Sequence, residues 1–555
     1  MKAIKTIGII FATAILVSIN VNAKGVKIYG TTIRSGNNLV GLITDATTGK
    51  GLKGIPVSDG FSYTYTDNNG VYQMKANARC RFVNYTTPAG YKVAINRNGN
   101  VAFYAPVTPK PDSLSRNDFA LQKLDKDETN FTLVAISDPQ CKYLWHGERY
   151  QNETIPDIQK SINEAQAKGK YKNVYAVTLG DETYDHHDMF QKMREYESGI
   201  KINGDYGILP VFNAIGNHDH NFNYSDSDFV ATRMYCKWFG PTDYSFNRGN
   251  AHIVVIDDVL SYGTGNSPCL YNAGFTAEQM KWLKADLATV KDPANTLLIF
   301  CTHIPFKAGE KSGGDVVNYD KYYKESLQMM TAFHEVHLMI GHTHCPENYT
   351  HDDYICKGGK PIFEHIHAAV CGGWWYSNLC LDGTPNGYAM YEIRGNSVYD
   401  WVAKGTGLDY GVQMRVYNGN DTYSGDVKAF SWDQSVRGCF IASVFYGDGN
   451  NWKVDLVYGG KTYPMQRVDK PIMDVCAYAF HINVCHRRPD NASWQVFRKH
   501  FWVIKAPSGN PGGIKDWKII ATQTIPSSGV VHKYECSSFQ KGYDSFVMYS
   551  DGTRK

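Results

Sequence analysis

Short apolar runs separated by amphipathic segments dominate the middle of the chain. These runs have the length of buried strands and occupy residues 131–136, 174–179, 210–215, 252–257, 296–301 and 336–340. Between the first two runs, Ile155, Ile158, Ile162 and Ala165 are spaced as on one face of a helix. Strands that alternate with helices predict an α/β domain with parallel or mixed strand pairing.

A second helix is indicated over residues 276–290. Thr276 and Gln279 have the spacing of a capping box, in which each side chain binds the backbone N–H of the other residue. Met280 and Leu283 lie on one face of the same segment. The pattern predicts an amphipathic helix that begins directly after Thr276.

The pattern changes to closely spaced strands and turns on both sides of this α/β region. Residues 36–105 predict an N-terminal β-sandwich, and residues 105–128, with three Pro and a charged run, indicate a linker. The central domain is expected over residues 129–400. Residues 408–555 predict a separate C-terminal β domain in which no catalytic group of residues is evident. Its strand-like runs are residues 441–446, 452–458, 494–504 and 517–522.

The first 23 residues have the pattern of a signal peptide. Lys2 and Lys5 precede an apolar run over residues 6–19, and Val21-Asn22-Ala23 resembles a cleavage site. A retained membrane anchor is the alternative, but the run is shorter than the roughly 20 residues that a membrane span needs. We therefore predict cleavage after Ala23, a periplasmic or extracellular location, and no integral membrane span in the mature protein.

Composition narrows the classes of partner. The net charge is +3 and there is no long basic run, so a nucleic acid polymer is not an expected partner. Apolar residues make up 43% and aromatic residues 13% of the 555 residues, which is typical of a globular, partly β-rich protein.

Export permits disulfides among the 13 Cys, of which at least one must be unpaired. Cys301, inside an apolar run, is expected to be a free core residue.

Polar side chains follow five of the strand-like runs. They are Asp138, Gln140, Asp181, Asn217, His218, His303, His342 and His344. In open α/β sheets, ligands bind where strands end at their carboxyl edge. The donors are oxygen and nitrogen atoms without a thiolate, which suits Zn, Mn or Fe better than soft copper. Their number is enough for two metal ions.

The order of these motifs is D-x-[HQ], G-D, G-N-H-D, H and G-H-x-H, and it resembles that of the calcineurin-like metallophosphoesterase superfamily. The resemblance covers about residues 131–395, and the three-part layout is similar to that of exported bacterial members. It implies an α/β fold: a metallophosphoesterase β-sandwich flanked by helices. The N-terminal part, with its pattern from Thr66 to Tyr72, resembles transthyretin-like or carboxypeptidase-regulatory-like β-sandwiches. The C-terminal part is expected to be a β domain.

The resemblance also implies roles for the motif residues. The first metal ion would be held by Asp138, Gln140, Asp181 and His344, and the second by Asp181, Asn217, His303 and His342. A hydroxide bridging the metals would attack phosphorus, with His218 as the proton donor or as a stabiliser of phosphoryl charge. The chain is thus expected to be an exported, bimetal-dependent phosphoric ester hydrolase. Its substrate would be a phosphorylated small molecule, a glycan or a lipid head group.

Two positions depart from the common family pattern. Gln140 stands where many members have His, and Tyr184 stands where many have an Asp that orients the catalytic His. Tyr184 either reaches the first metal ion, as the tyrosine of purple acid phosphatases does, or packs beside the site. Asp185 or Asp219 then remains to position His218, and the sequence does not choose between them.

Other functions remain open at this point. The motifs do not distinguish monoester from diester hydrolysis, so a phosphodiesterase acting on lipid head groups or nucleotides is one alternative. A non-catalytic glycan-binding protein is another, since Trp374 and Trp375 follow the last motif and would either stack on a sugar or pack against another domain. No Arg is identifiable as a phosphate clamp, and no substrate-binding residue is predicted.

Overall fold

The computed structural model describes residues 14–15, 27–110, 113–126, 128–169, 173–203, 206–221, 227–261, 271–307 and 321–549. Of the predicted signal peptide, these ranges contain only Ala14 and Ile15, whose backbone pairs antiparallel with Asn117 and Arg116. The rest of that prediction lies outside the described residues. In the described ranges, no helix is both long enough and apolar enough to cross a membrane.

Two β-sheets form the centre of the molecule. In the first, three parallel strands are followed by two antiparallel ones, in the spatial order Val211–Ala214, Val174–Leu179, Asn130–Ile136, Gly387–Arg394 and Ser397–Gly405. In the second, four parallel strands lie between two antiparallel edge strands, in the order Tyr244–Arg248, Ala251–Val255, Leu297–Cys301, Glu335–Ile340, Pro361–Ile366 and Glu347–Ile355. Separately, Val259–Ser261 pairs antiparallel with Tyr271–Ala273.

The two sheets pack face to face, because alternate residues of each strand point toward the other sheet. Leu133, Val177 and Phe212 of the first sheet share one core with Ile253 and Ile299 of the second. These side chains are almost completely buried. Burial of each such side chain contributes about 1.5–3 kcal/mol, so this layer is the main source of stability for the central domain.

Helices cover the outer faces of both sheets. Ile158 and Phe190 pack on the first sheet, and Met280, Leu283 and Leu327 pack on the second. The α-helices are Leu144–Arg149, Ile155–Ala167, Phe190–Ser198, Asp228–Ala231, Arg233–Phe239, Ala277–Leu287 and Lys321–Met330, with a π-helical turn at Tyr150–Thr154. The central part is therefore a β-sandwich flanked by helices, as expected from the sequence.

The predicted capping box at the start of Ala277–Leu287 is present. The backbone N–H of Gln279 donates to Thr276 Oγ1 at 3.1 Å, and the backbone N–H of Thr276 donates to Gln279 Oε1 at 2.9 Å. Two N–H groups that the helix leaves unpaired are thereby satisfied. The predicted helix over residues 155–167 is also found with those bounds.

The N-terminal part is a β-sandwich of two small sheets. The first contains Leu39–Asp45 at its centre, with Val71–Met74, Ser115–Asn117 and Phe119–Leu121. The second has the order Tyr63–Tyr65, Pro56–Ser58, Phe82–Tyr85 and Tyr104–Pro106, and Lys27–Ile28 pairs separately with Thr31–Thr32. Tyr72 and Tyr85, both buried, lie in the same core as the inner faces of the central sheets. The N-terminal part therefore packs directly on the central sandwich.

The C-terminal part consists mainly of two four-stranded sheets. Their strands are Met414–Asn418, Cys439–Val444, Phe501–Lys505 and Gln466–Arg467 in one sheet, and Lys461–Pro464, Trp452–Tyr458, Lys518–Thr524 and Val531–Cys536 in the other. Two-stranded ribbons pair Thr422–Tyr423 with Phe430–Ser431 and Ile472–Met473 with Phe497–Arg498. The strand-like run over residues 494–504 is thus interrupted after Arg498. The domain bounds 36–105, 129–400 and 408–555 stay a prediction.

One helix of the C-terminal part was not predicted from the sequence. Val475–Asn483 begins after Asp474, whose side chain accepts a hydrogen bond from the N–H of Ala477. All nine residues of this helix are buried. A helix surrounded by protein on every side has no polar face and therefore no 3.6-residue alternation for sequence analysis to detect.

All 12 cysteines in the described ranges are free, and 11 of them are buried. Cys301 lies in a central strand of the second sheet and is among the buried ones, as predicted. Because no described cysteine pairs with another, the stability of these parts rests on packing and hydrogen bonds.

A buried cation joins the N-terminal part to the central sheets. Arg248 Nη2 donates to the carbonyl oxygens of Pro88 at 3.2 Å and Tyr91 at 2.5 Å, and Nη1 donates to the Tyr175 hydroxyl at 3.1 Å. Its Nε lies 3.4 Å from Glu128 Oε2, and both side chains are fully buried. Burial raises the pKa of Glu128 although Arg248 opposes the rise, so the carboxylate depends on this partner.

We predict that Arg248→Met lowers the free energy of unfolding by about 3–5 kcal/mol, because it leaves the Glu128 carboxylate buried without its counterion. Urea denaturation followed by tryptophan fluorescence measures the loss. Adding Glu128→Gln to this variant should restore part of the stability. Arg394→Met, which removes a half-exposed arginine paired with Glu392, is the control and should change the free energy of unfolding little. An equally small loss of unfolding free energy in Arg248→Met would contradict the prediction.

Candidate active site

The loops that follow five parallel strands meet at one edge of the central sandwich. Three of these strands belong to the first sheet and end before Asp138, Asp181 and Asn217. The other two belong to the second sheet and end before His303 and His342. The structure therefore brings together the polar residues that the motifs singled out, at the place where strand order predicts ligand binding.

Three motif glycines allow these loops to approach one another. A Cβ on Gly180 would lie 2.6 Å from His303 Nδ1, and a Cβ on Gly216 would lie 2.2 Å from Asp181 Oδ1. A Cβ on Gly341 would lie 2.5 Å from Ser137 Oγ and 2.8 Å from Asp138 Oδ2. These distances are too short for any side chain, so glycine is needed here for close packing of the loops.

Five of the seven candidate ligands have left-handed backbone conformations, which non-glycine residues rarely adopt. The φ angles are +49° for Asp138, +42° for Gln140, +55° for Asp181, +71° for His342 and +60° for His344. Each such residue costs on the order of 1–3 kcal/mol and persists only where its surroundings fix it. This concentration of strain indicates a functional site.

Asp181 lies at the centre of the cluster and is almost fully buried. Its Oδ1 accepts the backbone N–H of His218 at 2.8 Å and lies 3.4 Å from His303 Nε2. Its Oδ2 accepts Gln140 Nε2 at 2.8 Å. Burial alone would raise the pKa of this carboxyl, but His303 and His218 hold it well below its usual range. Asp181 therefore remains an anion that contacts both halves of the site.

One half of the site contains Asn217, His303 and His342. Asn217 Oδ1 lies 2.9 Å from His303 Nε2 and 3.0 Å from His342 Nδ1, and the two ring nitrogens are 3.2 Å apart. His303 Nδ1 lies 2.7 Å from the carbonyl oxygen of Leu179, so Nδ1 carries a hydrogen. In the neutral ring, His303 Nε2 would then direct a lone pair at an amide oxygen. That contact is favourable only when a proton or a metal ion lies between them.

The other half contains Asp138, Gln140 and His344. His344 Nε2 lies 3.5 Å from Asp138 Oδ1, and Asp138 also accepts the backbone N–H of His342, at 3.0 Å to Oδ2. The Gln140 Oε1 and His344 Nδ1 atoms are buried without a hydrogen-bond partner in the described part of the chain. Buried polar atoms are normally paired, so an unpaired amide oxygen beside two carboxylates suits a cation.

The residues present fit metal ions. Ligand atoms of Asp138, Asp181 and His303 lie within 4.8 Å of one another. Burial opposes a charge on His303, but the neighbouring Asp181 raises the pKa of its ring to about 10. The cluster thus favours positive charge at its centre. Carboxylate, imidazole and amide donors are suited to Zn, Mn or Fe.

His218 lies beside this cluster rather than in it. Its Nδ1 is 2.9 Å from Asp185 Oδ1, and the N–H of Asp185 donates to the carbonyl oxygen of His218 at 3.3 Å. The ring of Tyr184 stacks on that of His218, with centroids 4.1 Å apart. Tyr184 therefore packs on the candidate proton donor, and Asp185, one residue later, makes the contact that an orienting carboxylate would make.

The Asp219 carboxylate binds backbone N–H groups of the surrounding loops. Its two carboxylate oxygens accept the backbone N–H groups of Glu182 at 3.1 Å, Thr183 at 3.0 Å and Gly216 at 3.0 Å. These bonds tie the loop after one strand to the loop after the next. Asp219 thus organises the backbone, whereas Asp185 contacts the ring.

The cluster opens into a cavity of about 280 Å³. Its lining residues are Gln140, Asp181, Tyr184, Asn217, His218, Tyr271, His342, Thr343, His344, Trp374, Leu381, Ala492, Ser493, Gln495, Val496, Phe497 and Arg498. The last six belong to the C-terminal part. That part therefore forms one wall of the cavity, which the sequence did not indicate, because nothing local marks a contact across more than 100 residues.

The two tryptophans after the last motif have different environments. Trp375 is buried, and its Nε1 donates to the carbonyl oxygen of Pro139 at 2.8 Å. Trp374 lines the cavity and packs against Trp494, with ring centroids 5.2 Å apart. Trp374 therefore packs against the C-terminal part, as one of the two alternatives expected, and it also faces the cavity; stacking on a sugar stays a prediction.

Three family models match the chain in succession. The model described as the N terminal of calcineurin-like phosphoesterase matches residues 37–124, calcineurin-like phosphoesterase matches residues 131–346, and the C terminal of calcineurin-like phosphoesterase matches residues 364–525. Together they span most of the chain. No curated protein matches the sequence.

Several solved structures are similar at low identity. A dimetal phosphatase from Danio rerio is 15% identical, with 51% of this chain and 97% of that chain covered and a TM-score of 0.32. PhoD is 11% identical, with 88% of this chain and 86% of that chain covered and a TM-score of 0.34. The purple acid phosphatase PPD1 from yellow lupin (Lupinus luteus) seeds is 11% identical, with 63% of this chain and 69% of that chain covered and a TM-score of 0.32. Likenesses of this size are too distant to support conclusions about activity.

The central family model includes every candidate site residue from Asp138 to His344. The predicted superfamily and fold class are confirmed, and so is the prediction that the chain is a metal-dependent phosphoesterase. The chain belongs to the calcineurin-like phosphoesterases.

Proposed function

We propose that this protein is an exported, bimetal-dependent phosphoric ester hydrolase. The observation that supports the proposal best is the convergence of seven residues with oxygen or nitrogen donors, among them the buried Asp181 carboxylate, with His218 beside them at the wall of a cavity. Export rests on the signal-peptide pattern of residues 1–23.

The two halves of the cluster would each hold one metal ion, of Zn, Mn or Fe. Asp138, Gln140 and His344 would bind the first, and Asn217, His303 and His342 the second. Asp181 would bind both, because its Oδ1 lies toward His303 while its Oδ2 lies toward Gln140. A shared carboxylate reduces the repulsion between two cations.

When bound, such ions polarise phosphoryl oxygens and generate a nucleophile by lowering the pKa of water. The side chains of this protein supply the remaining functions. Asp181 lines the cavity and Asp138 is buried beside it, and the strained loops keep the ligand atoms of both carboxylates in place. Little reorganisation is then needed when the substrate reacts.

His218 is proposed as the proton donor to the leaving oxygen. Its ring lines the cavity next to Asp181 and Asn217, and its orientation is fixed by Asp185 on Nδ1 and by Tyr184 on its face. A positioned general acid contributes about 10²–10⁴-fold to such reactions.

The proposed substrate is a phosphorylated small molecule, a glycan phosphate or a lipid head group. A phosphodiesterase acting on lipid head groups or nucleotides is the second candidate. The alternative of a non-catalytic glycan-binding protein is disfavoured, because the chain belongs to the metal-dependent calcineurin-like phosphoesterases.

We predict that the purified protein binds about two equivalents of transition metal and that His303→Ala binds about one, because this substitution removes a ligand of one half only. Inductively coupled plasma mass spectrometry after desalting measures the content. His532→Ala, which removes a histidine paired with Asp400 outside the site, should retain both. An unchanged content in His303→Ala would contradict the assignment.

We predict that His218→Ala lowers kcat by about 10²–10⁴-fold for an alkyl phosphate and by much less for p-nitrophenyl phosphate, since nitrophenolate leaves without protonation. Steady-state assays of both esters with added Mn or Zn measure the difference. The metal content should stay at the wild-type value. Equal losses for the two esters would exclude proton donation as the role of His218.

We predict that Asp185→Asn lowers kcat for the alkyl phosphate by about 10- to 100-fold, the effect of losing a hydrogen bond to a charged group. In a His218→Ala background the same substitution should have no further effect, because Asp185 acts through that ring. Asp188→Asn changes a solvent-exposed carboxylate three residues away and is the matched control. Additive losses in the double variant would refute the positioning role.

A further inference from the structure

A segment of the C-terminal part, Ala492 to Arg498, faces the candidate metal ligands across the cavity. It begins with a short 3-10 turn, Ala492–Trp494, and ends in the strand Phe497–Arg498. That strand pairs with Ile472–Met473, and Trp494 packs against Trp374. The segment is thus fixed on both sides and presents a defined wall to the cavity.

Arg498 is the cation of this wall. Only 8% of the residue is exposed, so its guanidinium has lost most of its water. Nη1 donates to the carbonyl oxygen of Phe497 at 3.1 Å, but Nε has no hydrogen-bond partner within the described ranges. The Glu347 Oε2 atom is 4.0 Å from Nε, beyond hydrogen-bond distance. A buried guanidinium with an unused donor is costly unless a ligand completes its bonds.

Two carboxylates, Glu347 and Asp382, contribute to the charge balance around Arg498. Glu347 and Asp382 both favour its charged form, but Glu347 also lines a separate cavity together with the cations Lys307, Arg467 and Lys499. Asp382 lies 3.5 Å from His500, whose pKa burial lowers to about 4, so that ring adds no positive charge. Of these side chains, Arg498 alone lines the cavity of the metal-ligand cluster.

We propose that Arg498 binds a second anionic group of the substrate, separate from the phosphoryl group that is hydrolysed. The guanidinium fork matches the two oxygens of a carboxylate or a phosphate. The proposal rests on the proposed phosphoesterase function for the reaction itself. It names the substrate class: a phosphate ester that has another phosphate or a carboxylate elsewhere in the molecule.

The surroundings of Arg498 indicate what connects the two anionic groups. Phe497 is 50% exposed, although large apolar side chains are usually covered, and Trp374 also lines the cavity. The Trp374 ring lies beside the candidate ligand His344, with centroids 5.5 Å apart, and Phe497 directly precedes Arg498, so an aromatic ring adjoins each end of the proposed site. The linking part of the substrate is therefore expected to be apolar or planar rather than strongly hydrated.

Non-hydrolysable inhibitors test the proposal on the intact, metal-loaded protein. The inhibitors share a three-carbon chain attached to a phosphonate. Propylphosphonate has no second anion, 4-phosphonobutyrate adds a carboxylate, and propane-1,3-diphosphonate adds a second phosphonate. Homologues with two to five carbons between the two anionic groups allow for different distances between Arg498 and the metal-ligand cluster. Each is measured as a competitive inhibitor of p-nitrophenyl phosphate hydrolysis with metal in excess. The wild type should bind at least one doubly anionic inhibitor about 10- to 100-fold more tightly than its matched monofunctional partner.

Arg498→Met should abolish this preference, by raising the inhibition constant of the doubly anionic inhibitor while that of propylphosphonate changes less than about threefold. Arg498→Lys, which keeps the charge but loses the fork, should restore part of it. Arg488→Met removes an exposed arginine ten residues upstream and should leave the preference intact. Arg498 prefers the anion whose inhibitor shows the larger increase in inhibition constant in Arg498→Met, either the carboxylate of 4-phosphonobutyrate or the second phosphonate of propane-1,3-diphosphonate.

Two results would overturn the proposal: a wild-type protein with no preference for any doubly anionic inhibitor, or equal weakening of all inhibitors in Arg498→Met. If the wild type hydrolyses no ester with any metal, the proposed function fails, and calorimetric titration of the same inhibitors still tests Arg498. Near-ultraviolet circular dichroism of each variant separates lost binding from lost folding.

Discussion

The site depends on the burial of negative charge next to histidine rings whose lone pairs converge. Asp138 and Asp181 are buried, and Asn217 Oδ1 faces His303 Nε2 at 2.9 Å although Nδ1 of that ring is already bonded to a carbonyl oxygen. Such an arrangement is stable only with positive charge at its centre. Burial opposes a charge on His303, but Asp181 raises the pKa of this ring to about 10, which shows the preference for positive charge that metal ions would satisfy in the working enzyme.

The fold brings these buried carboxylates and histidine rings together at one point. Two sheets meet at their carboxyl edges so that five loops supply donors to one point, and Gly180, Gly216 and Gly341 let those loops touch. Asp219 then ties two of the loops together through three backbone N–H groups. This convergence places the ligand residues in left-handed backbone conformations, which cost free energy. The packing of the β-sandwich offsets that free energy and fixes the loops.

The central domain was largely predictable because its signals are local. An apolar run followed by Asp, Asn or His marks a strand end, and the Thr276–Gln279 capping box marks a helix start. What the sequence left open was the choice between Asp185 and Asp219 near His218, since both are close along the chain and only the loop geometry separates them.

The C-terminal contribution could not be predicted in the same way. The helix Val475–Asn483 is buried on every side and has no polar face, and the role of Arg498 depends on a contact with loops more than 150 residues earlier. The sequence identifies no Arg as a phosphate clamp, because a lone Arg in a strand has no distinctive local pattern.

Anomalous X-ray scattering from crystals of the metal-loaded protein tests the central claim most directly. Two peaks at the absorption edge of the bound metal are expected about 3.5–4 Å apart, one beside Gln140 and His344 and one beside Asn217 and His303, with Asp181 between them. A single peak, or peaks away from Asp181, would contradict a two-metal site organised by this carboxylate.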